Sequence, residues 1–74
     1  MPRPAVTARR VTASLRAPDA KNLDDVSETT QLSPNDAIRK ALATEAYVQR
    51  VLADGGKIMV KDENGQVREV AFVS

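Results

Sequence analysis

The chain has 74 residues, enough for one domain at most, with no cysteine, no histidine and a net charge of +1. So short a chain buries little apolar surface against the entropy that folding removes, and this composition excludes disulfides and offers no thiolate or imidazole for a structural transition metal. A second copy of the chain is the remaining remedy, so an obligate homodimer is expected before any motif is read.

The near-neutral total hides a polarised distribution. Residues 1–17 carry Arg3, Arg9, Arg10 and Arg16 and no acid, whereas residues 18–36 carry Asp19, Asp24, Asp25, Glu28 and Asp36 against Lys21 alone. Either a basic arm meets a polyanion or the arginines decorate a solvated tail, and charge alone does not separate the two. No apolar run approaches the ~20 residues that a membrane helix needs, and the first residues lack the apolar core of a signal peptide. A soluble cytoplasmic protein without a membrane partner is the expectation.

Residues 1–9 contain Pro2 and Pro4, show no periodicity and read as a flexible basic arm. Over residues 10–17 the order alternates, with Val11, Ala13, Leu15 and Ala17 on one face and Thr12, Ser14 and Arg16 on the other. A period of two describes a half-buried strand. Its apolar face is small, so the strand needs a partner that approaches closely. Pro18 ends it, because proline cannot continue a ladder.

A short helix follows over residues 19–31, with Leu23, Val26 and Thr30 at three- and four-residue spacing. In Ser33-Pro34-Asn35-Asp36, Ser33 is a cap, Pro34 suits the first helical position and Asp36 stands where a capping box places its acid. The second helix therefore starts here and runs to about Asp54. Ala37, Ile38, Ala41, Leu42, Val48 and Leu52 form its apolar stripe. Glu45 falls inside that stripe, either where it meets solvent or opposite an arginine of a second chain. Gly55-Gly56 ends the helix through a left-handed cap.

Residues 57–73 form a hairpin around Asp62-Glu63-Asn64-Gly65. A two-residue Asn-Gly turn would place Glu69 beside Ile58 and Val60. Facing Asp62 with Gln66, with Gly65 in the bulge of a type I turn, sorts the faces better: Ile58, Val60, Val70 and Phe72 on one, Lys61 and Glu69 on the other. The hairpin is expected to cover the exposed end of the helices.

The residues needed for catalysis are missing. There is no glycine-rich phosphate loop, no nucleophile with an evident base and no histidine for acid–base work near neutrality. Asp24 and Asp25 are adjacent, and adjacent helical residues diverge by about 100°. Tyr47 and Phe72 are the only aromatic residues and sit on different elements, which makes a poor stacking platform for single strands. No enzyme activity, cofactor or metal is expected.

A lone strand ahead of two helices can pair with its own copy across a two-fold axis. Residues 11–42, VTASLRAPDAKNLDDVSETTQLSPNDAIRKAL, resemble the ribbon-helix-helix (MetJ/Arc/CopG) superfamily in this order. The likeness lies in an alternating strand ending in Leu-Arg-x-Pro, in Leu23 and Val26, in the Leu32-Ser33 turn and in Ile38-Arg39-Lys40-Ala41-Leu42. Gln31 stands where members commonly have glycine, which takes a left-handed conformation most easily.

The resemblance implies an α+β ribbon-helix-helix dimer with an intermolecular two-stranded antiparallel ribbon, to which this chain adds a C-terminal hairpin. Residues 1–9 would be the arm, 10–54 the DNA-binding and dimerisation domain, and 55–74 the hairpin extension. It also implies a ribbon in the major groove of double-stranded DNA, with Thr12, Ser14 and Arg16 at base edges. Arg9, Arg10, Ser33 and Asn35 would contact phosphates, helped by the amides of Asn35 and Asp36 at the second helix's start. Arg39 and Lys40 read as solvated. The implied roles are transcriptional repression, or plasmid or phage maintenance such as partition by centromere binding, with higher assembly along DNA left open. The alternatives are an antitoxin whose hairpin grips a toxin, or a protein-interaction module whose hairpin extends a partner's sheet.

Overall fold

The structure, a computed structural model, describes residues 8–72. Arg3 and most of the expected arm lie outside them. The order is α1 (Ala17–Thr30), α2 (Pro34–Ala53), β1 (Met59–Lys61) and β2 (Val67–Glu69), a small α+β arrangement of two helices and a two-stranded antiparallel sheet.

Helix α1 starts earlier than the sequence suggests. Arg16 is its N-cap, in extended conformation, and its amide donates to Asp19 Oδ2 at 3.1 Å. Pro18 stands in the first turn, where a missing amide costs nothing. The proline expected only to end a strand thus also begins a helix, and Ala17 is helical. Ahead of it, residues 8–16 have no regular structure. The strand expected over residues 10–17 is absent from the single chain, where no described strand lies beside it to complete a ladder.

Both helices end in the same hydrogen-bonded form. At α1 the Leu32 amide donates to Ser27 O at 3.1 Å and the Gln31 amide to Glu28 O at 3.3 Å. Gln31 takes the left-handed conformation this demands, with φ 56°. Ser27 Oγ donates to Leu32 O at 2.5 Å and Thr30 Oγ1 to Val26 O at 2.6 Å, so two hydroxyls tie down the turn. At α2 the Gly56 amide donates to Val51 O at 2.9 Å and the Gly55 amide to Leu52 O at 3.1 Å. Gly55 has φ 83°, and a Cβ on Gly56 would lie 2.8 Å from Val51 Cγ1. Each glycine therefore has its own reason.

The start of α2 follows the sequence in one half. Ser33 Oγ accepts from the Asp36 amide at 3.2 Å, with Pro34 next in the first turn. The Asp36 carboxylate, placed for the return arm of a capping box, forms an ion pair with Arg39 one turn on instead.

Along α1, Leu23, Val26 and Thr30 are half-buried, as their spacing predicts. The α2 stripe divides. Ala37 (0% exposed) and Val48 (9%) are the buried apolar residues, and Leu52 is half-buried. Ile38 and Leu42, roughly 100–140° around the helix from Ala37, stay exposed, Leu42 at 65%. Glu45 is exposed as well and accepts from Gln49 Nε2 at 2.7 Å.

In the sheet, Met59 faces Glu69, Val60 faces Arg68 and Lys61 faces Val67. Asp62 faces Gln66, with the Asp62 amide donating to Gln66 O at 2.9 Å. Asp62 Oδ1 accepts from the amides of Asn64 (2.9 Å) and Gln66 (3.0 Å), and Gly65 takes φ 84°. This is the register that sorts the two faces. Lys57 Nζ reaches Glu69 Oε1 at 3.4 Å on the Met59 side. The hairpin packs on neither helix, so the expectation that it covers their exposed end does not hold for the single chain.

A single copy is loosely gathered. Its radius of gyration is 15.7 Å, against about 11 Å for a compact chain of this length. It exposes 7166 Å², against roughly 4,500 Å² for a compact protein of this mass. Among the described residues, no helix is long and apolar enough to cross a membrane.

Candidate functional site

Two grooves meet along α2, and the segment before α1 contributes to both. The first, of about 320 Å³, is apolar; Leu15 joins Leu23 and Val26 of α1 and Ala37, Ile38, Ala41 and Leu42 of α2 on its walls. The second, of about 760 Å³, has residues 8–11 on one wall and Asn35, Ile38, Arg39 and Leu42 on the other. Ile38 and Leu42 are therefore shared, forming a ridge between an apolar and a basic groove.

The second groove gathers Arg9, Arg10 and Asn35, three of the four residues placed at phosphates by sequence. Helical spacing explains the far wall. Ile38 and Arg39 lie three and four residues after Asn35, and Leu42 lies four and three residues after them, so the four share one side of α2. The groove's three arginines face no carboxylate on its walls. Ser33 lines neither groove and serves as the cap. Because the Asp36 amide is engaged by Ser33 Oγ, α2 offers a ligand the Asn35 amide alone, not the two amides expected. Pro34 has none to give.

Thr12, Ser14 and Arg16 are exposed and line neither groove. Val11 (70% exposed) and Leu15 (50%) are exposed beside them, so the alternation of residue types is not matched by alternating burial within one chain. Arg16 combines two positions, the last residue before α1 and its N-cap, which anchors its backbone while leaving its side chain exposed.

Arg39 is the residue that the sequence reading leaves out of the site. It stands four residues after Asn35, and that spacing carries the signal. Lys40, one residue on, lines neither groove and is exposed, as a solvated lysine would be.

Among the described residues no group of acidic side chains could hold a metal ion. Asp25 is held by Lys21 Nζ at 2.8 Å along α1, and Asp24 is exposed. Comparison with known proteins returned no match: no family model fits the chain, and no curated protein or solved structure is significantly similar to it.

Proposed function

We propose that this protein binds double-stranded DNA in a sequence-specific manner as a homodimer. Residues 10–16 of two copies pair antiparallel into a ribbon that enters the major groove, where Thr12, Ser14 and Arg16 meet base edges. Arg16 can bond bidentately to guanine, while the hydroxyls of Thr12 and Ser14 donate to or accept from several bases. Arg9, Arg10 and Asn35 hold phosphates and set the register.

The observation that carries this reading is the position of the segment before α1. It alternates like a strand, has no strand neighbour among the described residues of its own chain, lends Leu15 to an open apolar groove and brings Arg9 and Arg10 to a basic one. A second copy supplies the missing neighbour, and its apolar residues fill the groove. Folding and dimerisation are then one event. The reading is non-catalytic and needs no cofactor, and its natural settings are repression of transcription, autoregulation included, or the partition machinery of a plasmid or phage.

The hairpin favours a second reading. Its strands β1 and β2 stand away from both helices, and it exposes apolar side chains on both faces, Met59 and Val67 on one and Val60 and Phe72 on the other. Such an element fits a protein partner, such as the toxin of an antitoxin pair or a sheet that it extends.

Binding-site selection from a random DNA pool at moderate salt separates specific DNA binding, which an antitoxin would share, from a module that binds protein alone. A short symmetric or repeated motif is the expected outcome. Weak, sequence-indifferent binding that vanishes with added salt would leave the arginines merely electrostatic and put the hairpin reading first.

A further inference from the structure

The basic groove holds a cation that the DNA reading does not use. Arg39 shares its walls with Arg9 and Arg10, and no carboxylate lines them. Among the described residues, Arg9 and Arg10 form no ion pair, whereas Arg39 pairs with Asp36. That pair lies at the surface, with Arg39 73% exposed and Asp36 45%. Water screens such pairs strongly, so the partners separate at little cost. Arg9 and Arg10 are unpaired on one wall and Arg39 is held only by a surface pair on the other, so an anion entering the groove meets three guanidinium groups. A phosphate accepts two parallel bonds from a guanidinium just as a carboxylate does.

We propose that Arg39 is a third phosphate-binding cation of this groove, and that Asp36 is its resting partner, exchanged for a nucleic-acid phosphate on binding. The inference rests on the DNA reading above and adds a residue and a step to it. Asp36 holds the guanidinium at the groove in the free protein and then gives it up. The carboxylate also opposes phosphate approach, which sets a ceiling on non-specific affinity. The reach of Arg39 comes from the middle of a helix turn and not from the arm, so its contact fixes the helix against the backbone.

The test is the salt dependence of binding to a random-sequence duplex of about 30 base pairs, measured between about 50 and 200 mM salt. Each phosphate contact contributes about −0.9 to the slope of log K against log salt, so Arg39→Gln should lower the slope by about two per dimer. The same relation gives a loss of about fivefold for each contact at physiological salt relative to 1 M. Arg39→Lys should keep the slope, since it keeps the charge. Asp36→Asn should tighten binding, and that gain should shrink in the Arg39→Gln background, as a double-mutant cycle reads directly. Helix content by circular dichroism, unchanged in all four proteins, shows that the fold is intact. An unaltered slope in Arg39→Gln, with the parent chain binding duplex, would overturn the inference and leave the DNA reading standing. A parent chain with no duplex affinity even at low salt would overturn both.

Discussion

Residues 10–16 and residues 58–70 both carry the period of two that marks a strand, yet only the second segment builds a sheet within one chain. The hairpin closes because Asp62 caps its own turn and Gly65 supplies the left-handed residue, bringing Val67 opposite Lys61. The earlier segment runs straight into α1, since Pro18 and the Asp19 cap commit the chain to a helix at once. Local turn chemistry, and not strand pattern, decides whether an alternating segment finds its neighbour in its own chain. On the proposed reading, the segment denied that turn takes its neighbour from a second copy, seated at the apolar groove that Leu15 lines.

The contrast can be broken at several points. The largest effect is expected at Leu42, on the ridge between the grooves. A leucine exposed at 65% in a working single chain would tolerate alanine, within about 0.5 kcal/mol. Packed against a second copy, Leu42→Ala costs about 2–5 kcal/mol per subunit. Urea unfolding at several protein concentrations reads the difference, with a midpoint that rises with concentration only if the chains associate.

Next is Arg16. Arg16→Ala should cost about 1–3 kcal/mol in binding the selected site and relax the preference at one base position per half-site, with the dimer unchanged. Repeating the selection with the variant checks it. An unchanged motif would remove Arg16 from the base-reading face.

The hairpin should respond alone. Gly65→Ala adds a Cβ with nothing closer than Lys61 Cε at 3.9 Å, so its penalty is the left-handed backbone, about 1–2 kcal/mol. Hydrogen exchange should quicken across β1 and β2 and stay as before in both helices, because the hairpin packs on neither. The smallest effect is a gain. Gln31→Gly relieves a residue at φ 56° and should raise stability by about 0.5–1 kcal/mol after the extra freedom of the unfolded chain is counted, seen as a higher melting temperature.

Local chemistry made much of this fold legible. Ser33-Pro34 marks the start of α2, Gly55-Gly56 its end, and Asp62 with Gly65 the hairpin register, because each acts within a few residues of itself. The early start of α1 was hidden because Pro18 suits a strand end and a first helical turn equally. The spacing of Asp36 fits a capping acid, but its carboxylate pairs with Arg39 at i+3, a competing partner that no spacing rule excludes. The α2 stripe identified the apolar residues without saying which are met by this chain. Ala37 and Val48 are buried in it, and Ile38 and Leu42 are left over. For the candidate site, composition named Arg9 and Arg10, and only the fold added Arg39 beside them.

The most direct measurement uses the absence of cysteine from the chain. Single cysteines placed in turn at positions 11–16 and spin-labelled give distances between copies by pulsed electron paramagnetic resonance. Antiparallel pairing across a two-fold axis predicts a V-shaped profile. The minimum should fall within residues 12–15, and the separation along the strands should grow by about 6–7 Å for each step away from the axis. A flat profile, or no dipolar signal at concentrations where the protein binds DNA, would contradict the ribbon.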